Sequence, residues 1–228
     1  MLERYRKEYD GEFVIVEHKI SNGKKHQERE WIENPIENQH ISGRAAVIGG
    51  GNSRINNKTK NFNLKYKIEQ HAGWHLGRKR LQTYGSQDCW KEMQCDFYVE
   101  FDKEKLEEIK KENYQERVSV YTHARNCIDD PGEFYLVPYG VRGKSISVAT
   151  WLACFDGHKE VFLLGVDALN DQDQPDIKTV KAINEVFVHY PSVQFYYISD
   201  NAKAHSDWRK NLNFNQMGYA DFISYCDI

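Results

Sequence analysis

Two short stretches of the chain carry residue types that suit phosphate chemistry. The first is Gly49-Gly-Gly-Asn-Ser53. Gly49, Gly50 and Gly51 let the backbone turn sharply, and Asn52 and Ser53 are good helix N-caps. A strand entering this turn and a helix leaving it would aim unpaired N–H groups and a helix dipole at one point, an anion cradle. The second stretch is Tyr139-Gly-Val-Arg-Gly-Lys-Ser145. There Arg142 and Lys144 sit beside Ser145 at an expected helix start, so cations and free N–H groups converge. Asp102 and Asp167 each follow an expected strand and are candidates for acid–base work. His71, His75 and His205 are candidate general bases, because an imidazole titrates near neutrality.

Neither stretch is a complete nucleotide fingerprint. Gly-x-Gly-x-x-Gly fails because its sixth position is Arg54, and the P-loop pattern fails because Pro138 stands where its first glycine belongs. No His/Cys/Asp cluster has the spacing of a zinc site. A metal, if used, is expected to be Mg²⁺ or Mn²⁺ held by Asp102 or Asp167 together with ligand phosphates.

The elements that must position these residues follow from pattern. Glu12–Glu17 and His26–Ile32 read as strands around the hairpin signal Ser21-Asn-Gly-Lys24, so residues 1–43 are expected to be an N-terminal β-hairpin extension. From 44 to 228 strands and helices alternate. Ala45–Ile48, Lys65–His71, Phe97–Phe101, Val118–Tyr121, Glu133–Pro138, Glu160–Val166 and Ser192–Ile198 read as strands. Lys103–Asn113, Ser145–Phe155 and Asp176–Tyr190 read as helices, with Gly157 closing the second. Gly73–Trp90 shows no clean period and reads as an irregular loop. This alternation predicts an α/β, mostly parallel, doubly wound sheet. In such a sheet Gly49–Ser53, Asp102, Gly140–Ser145 and Asp167 share the carboxyl edge, where ligands bind.

Composition narrows the class. The chain has 228 residues, 40% of them hydrophobic and 29% charged, which describes a globular protein with one sizeable core. Its formal net charge of −3 supplies no global basic field for nucleic acid. No apolar run reaches the ~18 residues of a membrane span. The charged N-terminus does not resemble a signal peptide. Five cysteines without a Cys-x-x-Cys pair fit reduced thiols, so a cytoplasmic location is expected.

A family resemblance rests on three of these motifs in order. Gly49-Gly-Gly-Asn-Ser53 resembles the Gly-x-Gly-Pro-Ser stretch opening the family 42 sialyltransferases and the related family that includes archaeal 6-hydroxymethylpterin diphosphokinase. Cys95-Asp-Phe-Tyr-Val-Glu-Phe-Asp102 is similar to the strand that follows. His158-Lys-Glu-Val-Phe-Leu-Leu-Gly-Val-Asp167 is similar to their strand ending Gly-Ile/Val-Asp. The similarity runs from about Ala45 to Phe195. It implies a modified Rossmann-like (GT-A-like) fold holding a nucleotide, with Gly49, Gly51, Ser53 and Ser145 on its phosphate or ribose. In the transferases that nucleotide belongs to a cytidine nucleotide-sugar. Asn52 replaces proline, Lys144-Ser-Ile146 replaces Thr-Ser-Gly, and Ala168–Lys178 lacks the transferases' histidine base. The resulting expectation is a glycosyltransferase using a nucleotide-sugar and an unidentified acceptor. The alternatives are Mg²⁺-dependent pyrophosphoryl transfer from ATP and a non-catalytic nucleotide-binding protein.

Overall fold

In the computed structural model the described residues are 4–6, 13–19, 25–31, 43–54, 81–138, 143–170 and 172–226. The described residues form two sheets. The smaller is antiparallel: β1 (Arg4–Arg6), β2 (Phe13–Lys19) and β3 (Lys25–Trp31), in the order β1-β2-β3. β2 and β3 form the expected hairpin, with Lys19 opposite Lys25. β1 is an additional strand that the sequence pattern did not suggest.

The larger sheet has eight strands, all parallel: β4 (Arg44–Ile48), β5 (Leu81–Ser86), β6 (Phe97–Val99), β7 (Ser119–Thr122), β8 (Tyr135–Leu136), β9 (Glu160–Leu164), β10 (Gln194–Ile198) and β11 (Phe214–Met217). Their order is β11-β10-β9-β4-β5-β6-β7-β8. The chain therefore runs outward from β4 in one direction to β8, then returns to β4's other side as β9 and runs outward again. That reversal makes the sheet Rossmann-like, with its topological switch point between β4 and β9.

Strand periodicity separates two cores. Ala45, Val47, Val161, Leu163, Phe195 and Tyr197 face one layer. Ala46, Ile48, Phe162, Leu164 and Ile198 face the other. The first layer is covered by α3 (Ser145–Phe155) and α4 (Ile177–His189), the second by α1 (Lys103–Lys111) and α5 (Tyr219–Cys226); the short α2 (Ala124–Asp129) follows β7. α1 buries only Leu106 and Ile109, as its narrow apolar stripe predicts. α3 is buried on almost every side, and its polar Ser147 and Thr150 bond back to the Lys144 and Ile146 carbonyls. Gly157, at φ +98°, ends it as expected. No helix among the described residues is long and apolar enough to cross a membrane.

Several expectations need correction. Leu81–Ser86, read as irregular, is the fully buried strand β5 beside β4. Its polar residues hid the strand, and side-chain hydrogen bonds satisfy Thr83 and Ser86 there. Asp96 accepts from Thr83 N–H at 2.8 Å and from Thr83 Oγ1 at 2.9 Å, and Ser86 Oγ donates to Ser145 Oγ at 2.8 Å. The expected strand Glu133–Pro138 shrinks to Tyr135–Leu136. β11 and α5 extend the sheet and its second layer beyond Ile198, where no element was expected. The expected strand Lys65–His71 lies outside the described residues.

One buried polar cluster underlies the first core. Tyr84 from β5 donates its hydroxyl to Asp156 and lies 3.1 Å from His158 Nε2. All three are fully buried, and burial together with the Asp156 carboxylate pushes the tyrosine hydroxyl well above its ordinary pKa. Removing that hydroxyl leaves a buried carboxylate short of a donor. Tyr84→Phe should therefore cost about 1–3 kcal/mol of unfolding free energy, read as a lowered urea midpoint with an unchanged slope. An unchanged midpoint would show that the hydroxyl contributes nothing net.

Candidate functional site

At the switch point two chain segments meet with no side chains between them. β4 continues through Gly49, whose N–H donates to the Leu164 carbonyl at 2.9 Å, and Gly51 N–H donates to the Gly165 carbonyl at 2.9 Å. A Cβ on Gly49 would lie 2.4 Å from the Gly165 oxygen, and one on Gly51 2.5 Å from Asp167 Oδ2. Gly165 has φ +66°, a conformation that favours glycine. The glycines thus allow a backbone approach closer than any side chain permits.

The expected open cradle of N–H groups is corrected by these contacts. Besides Gly49 and Gly51, Gly50 N–H donates to Gln87 Oε1 at 2.6 Å and Ser53 N–H donates to Asp167 Oδ2 at 2.9 Å. The anion held at the turn is the chain's own carboxylate. Asp167 Oδ1 also accepts the Tyr197 hydroxyl at 3.0 Å. Burial, and then the Asp167 charge, push that tyrosine's pKa up. The segment after the glycines is one short 3₁₀ turn, Asn52–Arg54. It is pinned by the Tyr219 hydroxyl donating to the Ser53 carbonyl at 2.8 Å, and by Arg54 gripping Glu92 through two bonds of 2.5 and 2.7 Å.

Above this floor lies a crevice of about 350 Å³. Its walls are the glycine turn with Asn52, the 3₁₀ turn after β5 (Gln87, Asp88), Lys105 of α1, and Gly165, Asp167, Ala168, Leu169 and Asp173 beyond β9. Three aspartates (Asp88, Asp167 and Asp173) face one lysine, itself 3.7 Å from Asp88. Such a lining offers mostly acceptors, which suits a hydroxyl-rich or cationic group better than bare phosphate.

The sequence-derived candidates divide unequally. Gly50, Gly51, Asn52 and Asp167 line the crevice, and Gly49 and Ser53 support it. Ser145 is tied to Ser86, next to the lining residue Gln87. Asp102 caps α1, accepting from the Glu104 and Lys105 N–H groups at 2.9 and 3.2 Å, and is not part of the lining. The Lys144 ammonium, expected to face a diphosphate, instead pairs with Asp176 at 2.5 Å. That pair, first, and the Thr179 hydroxyl hold the Asp176 carboxyl down at about 2. His205 Nδ1 accepts the Asp207 N–H at 3.2 Å, so a neutral ring carries its proton on Nε2 and has no spare lone pair. Arg142, His71 and His75 lie outside the described residues. Gln87, Asp88, Lys105 and Asp173 were missed, since nothing in their spacing marks them.

Glu100, at the end of β6, was missed as well. It is 4% exposed, and its Oε1 accepts from the Phe101 and Asp102 N–H groups at 2.8 and 3.0 Å. Its Oε2 is buried with no partner among the described residues. Burial, opposed by those two N–H groups, raises its pKa.

No group of three His, Cys, Asp or Glu among the described residues is arranged to hold an ion. Asp167 accepts one protein donor on each oxygen, and Asp102 accepts its two helix-cap donors on Oδ1.

No protein-family model matches the sequence, and no curated protein matches it. Among solved structures, the chain is similar to the sialyltransferase CstII from Campylobacter jejuni. Against its complex with cytidine-5'-monophosphate the TM-score is 0.42 at 12% identity, covering 70% of this chain and 80% of that one. Against its complex with CMP-3FNeuAc the TM-score is 0.43 at 12% identity, covering 76% and 88%. The Rossmann-like assignment rests on this chain's own strand order.

Two measurements test the site's construction. Gly49→Ala should destabilise the fold by about 1–3 kcal/mol through overpacking. Gly43→Ala, whose Cβ meets nothing within 4 Å, should not. Equal urea midpoints for the two variants would dismiss the close approach. Glu100 binds its proton more tightly folded than unfolded, so its contribution is full below the ordinary glutamate range and is lost as pH rises through the folded value. Glu100→Gln should therefore gain stability relative to wild type between acid and neutral pH. Parallel stability–pH curves would show that Glu100 is not linked to folding.

Proposed function

We propose that the chain is a glycosyltransferase that takes a sugar from a nucleotide-sugar, of sialyltransferase-like type, with an unidentified acceptor. The observation carrying this reading is that the crevice opens at the switch point of a Rossmann-like sheet and has the glycine turn as its floor. The order of the three motifs supports it too: they fall after β4, on β6 and on β9, all reaching the carboxyl edge. Asp88, Asp167 and Asp173 suit donor hydroxyls. The start of α3, which has no side-chain cap, and Ser145 suit the phosphate side of the donor.

Of the acid–base candidates Asp102, Asp167 and His205, only Asp167 lines the crevice, so we assign it the base. The acceptor oxygen bonds to the anomeric carbon as the bond from that carbon to the phosphate oxygen breaks. The leaving nucleotide keeps the electron pair, and the acceptor proton passes to the Asp167 carboxylate, released from Ser53 or Tyr197. Lys144 reaches the leaving phosphate only by exchanging Asp176 for it.

The test is turnover with cytidine nucleotide-sugars, alongside thermal shifts with cytidine monophosphate and with cytidine. The monophosphate should stabilise the fold more than the nucleoside, and donor breakdown should persist in EDTA. Asp167→Asn should slow it by about a hundredfold or more. Phosphoryl-group transfer from ATP that stops in EDTA would replace this reading with the Mg²⁺-dependent pyrophosphokinase alternative. Nucleotide binding without turnover of any donor would leave a non-catalytic nucleotide-binding protein.

A further inference from the structure

A second cavity, of about 510 Å³, shares no residue with the crevice. It lies where the 3₁₀ turn after β5 meets the last turn of α1, and its wall is aromatic. Trp90 packs on Tyr114 with ring centroids 5.9 Å apart. Tyr114 is itself fixed, its hydroxyl oxygen accepting the Cys95 N–H at 3.2 Å. Lys91 lies 5.4 Å over the Trp90 ring and is held there by Glu108 at 3.2 Å and Asp88 at 3.5 Å. The platform is therefore preorganised before any ligand arrives.

Two observations say what it would take. Lys111 and Arg117 line the cavity and form no ion pair among the described residues. Arg117 is poised 6.0 Å over Tyr114, and its side chain donates to the Glu112 carbonyl at a long 3.4 Å. Independently, the Trp90 indole Nε1–H is buried and meets no acceptor among the described residues. A donor in that condition has lost its water without replacement. The lining counts three cations (Lys91, Lys111, Arg117) against two carboxylates (Glu108, Glu112), a surplus of one positive charge.

We propose that this cavity is a binding site for a small planar aromatic anion, a ring bearing a phosphate or carboxylate. The ring stacks on Trp90, the anionic group sits between Lys111 and Arg117, and a ligand oxygen meets the indole N–H after a small tilt of the ring. The volume suits a ligand of a few fused rings rather than a polymer. The chain's overall negative charge also disfavours nucleic acid as the source of such groups.

The test is calorimetric titration of the full chain with 1-naphthyl phosphate and 1-naphthoate, with 1-naphthol and inorganic phosphate as partial ligands. One or both naphthyl anions should bind one to one, and each partial ligand should bind more weakly. The double variant Lys111→Ala/Arg117→Ala changes only exposed side chains and should weaken the anions by about tenfold or more. Trp90→Phe keeps an aromatic ring and should weaken them less. No saturable heat at millimolar concentration, or equal affinity in the double variant, would overturn the proposal. So would a loss produced by Lys105→Ala but not by the double variant, because that would put the ligand in the crevice.

Discussion

The carboxyl edge of this sheet depends on one contact, the side-chain-free approach of the chain leaving β4 to the chain leaving β9. Gly49 N–H to the Leu164 carbonyl prolongs the β4–β9 ladder by one rung, and Gly51 N–H to the Gly165 carbonyl adds another beyond the strands. The positive φ of Gly165 then swings Val166 and Asp167 back over the turn. Only this return brings the Asp167 carboxylate within 2.9 Å of Ser53 N–H. Tyr197 from β10 and Tyr219 from α5 close on the same knot, so four elements on two faces of the sheet meet there. A parallel sheet whose order reverses leaves a gap at the reversal. Here glycines narrow that gap at its base and leave it open above, which is what makes a crevice rather than a slot.

Much of the fold was legible because its strongest signals are local. Ser145–Phe155 matches its helix at both ends, since an apolar run followed by Gly157 admits little else. The three- and four-residue spacing over Asp176–Tyr190 locates helix Ile177–His189 to within one residue at each end, and the structure makes Asp176 its N-cap. The crevice was half legible for the same reason. Glycines in sequence announce a turn, and an aspartate after a buried strand announces the sheet's carboxyl edge. The actual partners of those groups were not legible. Nothing near Gly50 in sequence reveals that its N–H is taken by Gln87, and nothing near Lys144 beyond its charge points to Asp176.

The missed elements share a physical cause. β5 is polar at Gln82, Thr83 and Ser86 yet buried throughout, with Thr83 answered by Asp96 and Ser86 by Ser145. Periodicity measures transfer from water of apolar groups, and it is blind to a strand whose polar groups are matched one by one. Gly85 adds to the disguise. It reads as a breaker, but its missing side chain is space filled by Cys95, Tyr98 and Cys89, whose atoms would lie within 2.7–2.9 Å of a Cβ. β11 escaped for the opposite reason: an edge strand with Asn215 and Gln216 exposed carries too little apolar alternation to be seen alone.

The Asp167 carboxylate also changes how the glycine turn should be understood. A glycine-rich turn between a strand and a helix start is usually read as waiting for an anion from outside. In this chain an internal anion already satisfies Ser53 N–H, and Gln87 satisfies Gly50 N–H, so these two N–H groups of the turn are spent on fixing the crevice floor. A phosphate placed there would have to displace a bonded carboxylate and then sit beside it, with two like charges in contact. The floor therefore favours the uncharged, hydroxyl-bearing side of a ligand. Under the proposed function the phosphate goes instead to the start of α3, where no side chain among the described residues caps the helix and Ser145 joins Ser86. The sequence motif and the polarity of its site thus point in opposite directions, and the difference is made by Asp167, more than a hundred residues further along the chain.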